Sequence, residues 1–142
     1  MSDKTNYESR SGKIDCDAEQ LFNFVTDLRN FERFIPHGSV SNLKIELDSC
    51  SFQVSMLGTV TVRISETVKY SEVVYSGNAL QINDFSLILI IRSKNDKESE
   101  VIVTLSAELN PFLKMLAAEP IRKFLETLIN EMEKFKGWKE TI

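Results

Sequence analysis

The sequence predicts an α+β domain in which a curved antiparallel sheet of about six to seven strands surrounds one long C-terminal helix. Two observations predict this class. Apolar and polar residues alternate over residues 40–109, which is the pattern of strands with one buried face. From residue 111 onward the apolar residues recur with the 3.6-residue period of a helix.

Length and composition indicate one globular domain over residues 1–142. Hydrophobic residues make up 42% and charged residues 27% of the chain, which is ordinary for a folded domain. We expect any disorder to lie in residues 1–6 and 138–142. The net charge of −4 disfavours nucleic-acid binding and binding to anionic membranes, because both require a cationic surface. The longest apolar run, residues 85–91, is too short to cross a bilayer, so we expect no stable membrane insertion.

The cysteines and the first residues predict a cytoplasmic protein. Cys16 and Cys50 are best interpreted as small buried hydrophobic side chains. Residues 1–6 are polar and lack the apolar core of a signal peptide. One histidine and two distant cysteines provide no ligand spacing for zinc, and no glycine-rich phosphate loop occurs. We therefore predict neither a metal nor a cofactor.

The segment before the main sheet predicts one strand and two short helices. Residues 7–15 alternate weakly and indicate the strand. Asp17 is a suitable N-cap for the first helix and Asp27 for the second. Pro36 ends the second helix, because the residue before a proline is pushed out of the helical region.

Five runs of alternating residues predict the central strands, each with one face toward the core. The predicted inward-facing residues are Leu43, Ile45 and Leu47; Phe52, Val54 and Met56; Val60, Val62, Ile64 and Val68; Phe85, Leu87, Leu89 and Ile91; and Val101, Val103, Leu105, Ala107 and Leu109. The pattern is weaker over residues 71–83, where residues 76–78 suggest a turn or a bulge. The polar run 93–100 predicts a hairpin loop.

The C-terminal helix has clear boundary signals. Asn110 is a suitable N-cap, and Gly137 is a typical stop. Pro120 predicts a kink or a division of the helix into two pieces, because proline removes a backbone donor. The predicted apolar stripe consists of Phe112, Leu113, Leu116, Ile121, Phe124, Leu125, Leu128, Met132 and Phe135.

This order of elements resembles the START-like superfamily (SRPBCC), whose helix-grip fold is shared by polyketide cyclase-like and coenzyme Q-binding-like proteins. The resemblance lies in residues 17–22 leading to residues 31–36, in the run of strands, and in residues 109–121 with the amphipathic tail. It covers roughly residues 7–136 and is nearest in pattern to coenzyme Q-binding-like members. It implies a cavity between the sheet and the long helix, where a lipid, a quinone or a polyketide-like compound would bind.

We therefore expect inward-facing side chains to bind a small hydrophobic molecule. The candidates are Phe31, Phe34, Phe52, Val54, Met56, Val62, Ile64, Phe85, Leu87, Leu89, Met115, Ile121, Leu125 and Leu128. The same residues could instead fill the interior as an ordinary core. In that case the protein would be an interaction module with a closed core and a protein partner. Trp138 would then either fold back, which is the default expectation, or remain exposed for the partner.

A cyclase- or hydratase-type enzyme is the remaining alternative, with His37 or Glu66 as acid–base groups. His37 is the only histidine, and the resemblance places it near the mouth of the cavity. Glu66 interrupts an apolar series at an inward position if the strand register holds. The favoured interpretations place His37 in a solvated loop and turn Glu66 outward, either at a bulge or at the end of the curved strand. Binding is accordingly favoured over catalysis.

Overall fold

The computed structural model describes residues 4–33, 40–46, 48–54, 58–79 and 84–138, except for the side chains of residues 31–33, 40 and 54. The strands are β1 (Lys4–Glu8), β2 (Gly12–Ile14), β3 (Val40–Ile45), β4 (Ser49–Val54), β5 (Gly58–Val68), β6 (Glu72–Ala79), β7 (Phe85–Asn95) and β8 (Glu98–Glu108). The helices are α1 (Ala18–Val25), the 3₁₀ helix η1 (Leu28–Arg33) and α2 (Pro111–Lys134).

Within the described ranges, eight strands form one antiparallel sheet. Neighbouring strands follow the order β1, β8, β7, β6, β5, β4, β3, and β2 also pairs with β8. The predicted sheet and the long C-terminal helix are confirmed, with eight strands in place of six to seven. The extra strand arises because the predicted strand over residues 7–15 is two short strands, which pair with successive parts of β8. Lys4, Thr5 and Asn6 belong to β1.

The predicted turn or bulge at residues 76–78 is wrong, because these residues lie inside β6, where all three pair with β5 and Ser76 and Gly77 also pair with β7. Gly77 is needed there for a packing reason. A Cβ at this position would lie 2.6 Å from the Phe85 ring and 2.5 Å from the Thr61 backbone oxygen. The polar run 93–100 does form the predicted hairpin, and its strands continue further into the run than expected.

Both short helices begin at the predicted caps. The Asp17 carboxylate accepts a hydrogen bond from the Gln20 backbone N–H at 2.7 Å, and the Asp27 carboxylate accepts one from the Arg29 N–H at 3.0 Å. Each bond satisfies a donor that the first turn of a helix leaves unpaired. The second element is a 3₁₀ helix.

Helix α2 is continuous through Pro120, so the predicted division into two pieces is wrong. Ala117 and Ile121, on either side of the proline, are both buried. This packing holds both halves of the helix in place despite the missing donor. Asn110 caps the helix as predicted, through a 2.8 Å bond from the Leu113 N–H.

A charged cluster fastens the β1–β2 connection to the end of α2. The Arg10 guanidinium donates to both Glu133 carboxylate oxygens, at 2.7 and 3.1 Å, and the Lys13 backbone N–H donates to the same group at 2.9 Å. The pKa of Glu133 is lowered to about 2, mainly because its carboxylate accepts hydrogen bonds from Arg10.

The core lies between the inner face of the sheet, α1 and α2. Gly12 lets β2 approach α2 closely, because a Cβ there would lie 2.9 Å from Ile129. Trp138 folds back as expected and is 3% exposed. Its ring packs against Phe24 and Phe135, with centroids 5.1 and 4.9 Å apart. In the described ranges, no helix has both the length and the apolar character needed to span a membrane.

Candidate functional site

A small cavity of about 30 Å³ lies between the sheet, the α1–η1 segment and α2. Its apolar lining consists of Phe24, Val25, Leu87, Leu89, Val103, Leu128 and Met132. Three polar residues complete the lining: Asp27, Asn30 and Tyr75. The volume is roughly that of one water molecule, whereas pockets for drug-sized ligands measure roughly 300–1,000 Å³. A larger ligand therefore requires lining side chains to move.

Strand register determines which sheet residues face this cavity. Tyr75 on β6 lies opposite Leu87 on β7, and Leu87 lies opposite Leu105 on β8. Leu89 lies opposite Val103 in the same way. Directly opposed residues point to the same face of a sheet, so these side chains form two adjacent rows on the inner face.

Tyr75 links the sheet to the end of α1. Its hydroxyl donates a 2.6 Å hydrogen bond to the backbone oxygen of Val25. Burial is the main cause that raises the pKa of the Tyr75 hydroxyl, so it stays protonated and continues to donate at neutral pH. Tyr75 therefore holds the end of α1 against the sheet, and both of these elements form walls of the cavity.

Asn30 is the unusual residue of the site. Its side chain is 3% exposed, and its Nδ2 donates to the Phe24 backbone oxygen at 3.0 Å. Its Oδ1 is buried and accepts no hydrogen bond within the described part of the chain. An unpaired buried acceptor costs about 1–3 kcal/mol. Sequence reasoning missed Asn30, because an asparagine in a short helix is ordinarily a surface or capping residue.

Asp27 supplies the charged group at the cavity. Its carboxylate forms an ion pair with Arg29, with an N–O distance of 2.6 Å. The Arg29 hydrogen bond is the main cause that lowers the pKa of Asp27. The carboxylate is therefore negative at neutral pH and already has a cationic partner.

The predicted ligand-binding residues fall into distinct groups. Leu87, Leu89 and Leu128 line the cavity. Four others belong to the buried core outside its lining, namely Phe52, Val62, Ile121 and Leu125. Ile64 and Phe85 are partly buried against this core.

Several predicted residues fall on parts of the chain that the structure does not describe. Phe34, His37 and Met56 lie outside the described residues, and so do the side chains of Phe31 and Val54. Their roles stay predictions.

Met115 is wrongly predicted as a buried ligand contact, since it is 83% exposed. Phe112 and Leu116 are exposed as well, at 69% and 44%, and the three form the α2 apolar patch. The reason is that the buried stripe of α2 begins only at Ala117. The first turns of the helix therefore carry apolar residues that do not cover the sheet.

Glu66 is exposed, and the predicted bulge explains why. Ile64 pairs with Tyr75, but Glu66 pairs with Val74, so Ser65 is an extra residue in β5. A one-residue shift moves every following side chain to the other face. The same shift leaves Val68 53% exposed, so its predicted inward position is wrong.

Other reactive groups are sparse in the structure as described. Across residues 4–33, 40–46, 48–54, 58–79 and 84–138, no group of three or more His, Cys, Asp or Glu side chains could hold a metal ion. Cys16 and Cys50 are buried thiols that form no disulfide. Burial raises the pKa of Cys50 to about 11, so that thiol is protonated and unreactive at neutral pH.

Neither protein-family models nor curated proteins match the chain. Its fold, however, is similar to solved structures. A START superfamily protein from Mycobacterium smegmatis superposes with a TM-score of 0.66 at 12% identity, covering 91% of this chain and 94% of that one. Norcoclaurine synthase from Thalictrum flavum superposes with a TM-score of 0.73 at 7% identity, covering 94% and 86%.

The protein has a START-like, helix-grip fold. A point mutant of the same synthase in complex with a transition-state analogue is also similar to this START-like chain, with a TM-score of 0.66, 6% identity and coverage of 92% and 97%. At such identities the likeness shows the fold. The resemblance predicted from the order of elements is thus confirmed at the level of the fold.

Proposed function

We propose that this START-like domain binds a small hydrophobic ligand between the inner face of its sheet and α2. The observation that carries the proposal is an apolar cavity lined by Asn30, whose side-chain oxygen is buried and accepts no hydrogen bond from the described residues. Apolar pockets with a few polar groups are the usual form of small-molecule sites. The similar synthase structure with its analogue supports the proposal, because a protein of this fold holds a small organic molecule.

Ligand entry requires the cavity to grow from its volume of about 30 Å³. Met132 is the lining residue best suited to move, because methionine is unbranched and adapts to irregular spaces. Leu128 lies one helical turn earlier on the same wall. Displacement of these two side chains would open space along α2 without unpairing the sheet.

The ligand class proposed is a lipid, a quinone or a polyketide-like compound, in line with the coenzyme Q-binding-like pattern of the sequence. The cytoplasm is the proposed location, where two buried thiols without a disulfide are expected. Glu66 lies on the outward side of the sheet, away from the cavity. It therefore gives no support to an enzymatic role.

Titration with N-phenylnaphthylamine, an apolar dye that fluoresces when it leaves water, tests the proposal. We expect saturable fluorescence with the wild type and a loss of most of it in Leu128→Phe, whose larger side chain occupies the cavity. Met115→Ala is the matched control on the same helix, since Met115 is exposed, and it should bind the dye like the wild type. Equal signals from wild type and Leu128→Phe would contradict a cavity site.

A protein-interaction module is the second candidate, and one specific observation favours it. The α2 apolar patch exposes three large apolar side chains, while the cavity has only the size of a water molecule. Exposed apolar clusters often mark protein contacts. Under this alternative, Phe112→Ser would abolish capture of a protein partner, while Leu128→Phe would leave capture unchanged.

A further inference from the structure

Each donor group identified at the cavity already makes one hydrogen bond to the backbone. Asn30 Nδ2 donates one of its two hydrogens to the Phe24 backbone oxygen, and the single O–H of Tyr75 donates to the Val25 backbone oxygen. Asp27 is an ionised carboxylate, which can only accept. Among the described residues, the cavity-lining residue with a buried side-chain atom that has no hydrogen-bond partner is Asn30, and that atom is the acceptor Oδ1.

The orientation of the Asn30 amide is held by its own hydrogen bond. Exchanging its oxygen and nitrogen would set Oδ1 against the Phe24 carbonyl oxygen and lose the 3.0 Å bond. Tyr7 Oη and Thr5 Oγ1 are also buried without a partner in the described chain. Asn30 differs from both, because it lines the cavity.

We infer that the ligand is a neutral apolar molecule with a hydroxyl or N–H group, which donates a hydrogen bond to Asn30 Oδ1. This inference rests on the proposed function and specifies the chemistry of its ligand. A carboxylate or phosphate is disfavoured, because the Asn30 oxygen and the Asp27 carboxylate at the cavity are both acceptors and the Arg29 guanidinium is already paired with Asp27. An ether or ketone would leave the Asn30 oxygen without a donor, which is unfavourable. Within the ligand classes proposed above, we therefore expect a hydroxylated lipid, a quinol or a hydroxylated polyketide-like compound rather than a quinone.

The size of the cavity is consistent with a donor head group. A volume of about 30 Å³ holds one water molecule, and a hydroxyl group is of similar size. The head can therefore occupy the cavity as it is, while the apolar body displaces Met132 and extends along α2. One bound water is the competing occupant, since it too would donate to Asn30.

Isothermal titration calorimetry with two isomers tests the inference. Decanol and methyl nonyl ether have the same atoms and nearly the same length, but only decanol donates a hydrogen bond. We expect the wild type to bind decanol roughly fivefold to 150-fold more tightly than the ether, from the free energy of satisfying a buried acceptor. Decanoate should bind more weakly than decanol at neutral pH.

The variant Asn30→Leu should remove the preference, because decanol and the ether then meet the same apolar wall. The wild-type comparison decides the inference by itself if this variant does not fold. Equal affinity for decanol and the ether, or tighter binding of decanoate, would overturn the inference and leave the proposed function intact. Binding of none of the three compounds would overturn both and leave water as the occupant.

Discussion

Replacing Tyr75 by phenylalanine probes how the cavity wall is held. The change keeps the ring but removes the hydroxyl that donates at 2.6 Å to the Val25 backbone oxygen. Tyr75 is 5% exposed, so water cannot readily replace the lost donor. An unpaired buried carbonyl costs about 1–3 kcal/mol. We therefore expect the free energy of unfolding to fall by about 2 kcal/mol, which corresponds to a drop of roughly 6–8 °C in Tm.

Urea unfolding followed by the fluorescence of Trp138 measures this change, because Trp138 is the only tryptophan and is buried. The denaturant slope should stay constant, since the variant buries the same surface. Tyr70→Phe is the matched control. It removes a 3.2 Å bond to Glu19 at an exposed position, and it should lower stability by less than about 0.5 kcal/mol. Equal losses in the two variants would refute the reasoning about burial.

Three further predictions concern stability. Gly77→Ala should lower it by about 3 kcal/mol, because the new Cβ would lie 2.5 Å from a backbone oxygen of β5. Glu133→Gln should lower it by about 0.5–1 kcal/mol at neutral pH, a value discounted because Arg10 is half-exposed. Leu125→Ala should lower it by about 2–5 kcal/mol, whereas Met115→Ala should change little, because only the first residue is buried. Urea titration measures each change.

The Glu133 prediction has a defined pH window. Its folded pKa of about 2 lies below the ordinary 4.5, so its contribution is present above pH 4.5 and disappears as the pH falls toward 2. Wild type and Glu133→Gln should therefore become equally stable at low pH. Glu119→Gln, at an exposed position of the same helix, controls for a general loss of helix charge. A difference at pH 2 as large as the difference at neutral pH would contradict the assignment.

The sequence predicted those parts of the fold that depend on local pattern. Asp17 and Asn110 were identified as caps because their side chains bond within three residues. The alternation of apolar and polar residues up to Leu109 is also a local pattern, and it identified the strands in which it is clear. Gly77 was misinterpreted, because its role depends on the Phe85 ring of a neighbouring strand, and no local pattern records that contact.

The candidate site was predicted less completely. Leu87, Leu89 and Leu128 were identified, because apolar residues at inward positions face the core in any packing of this type. Asn30 was missed, since no local pattern records that its side chain is buried or that its oxygen has no donor among the described residues. Met115 was misplaced, because a helical stripe shows which face is apolar but not where along the helix the sheet ends.

Mass spectrometry of the purified protein, first under native and then under denaturing conditions, tests the central claim most directly. We expect the native protein to carry an additional mass, which unfolding releases as a small neutral molecule with a hydroxyl or N–H group. After removal of that molecule, incubation with decanol should restore an adduct. A protein of identical native and denatured mass that also forms no adduct with decanol or N-phenylnaphthylamine would contradict a ligand-binding function.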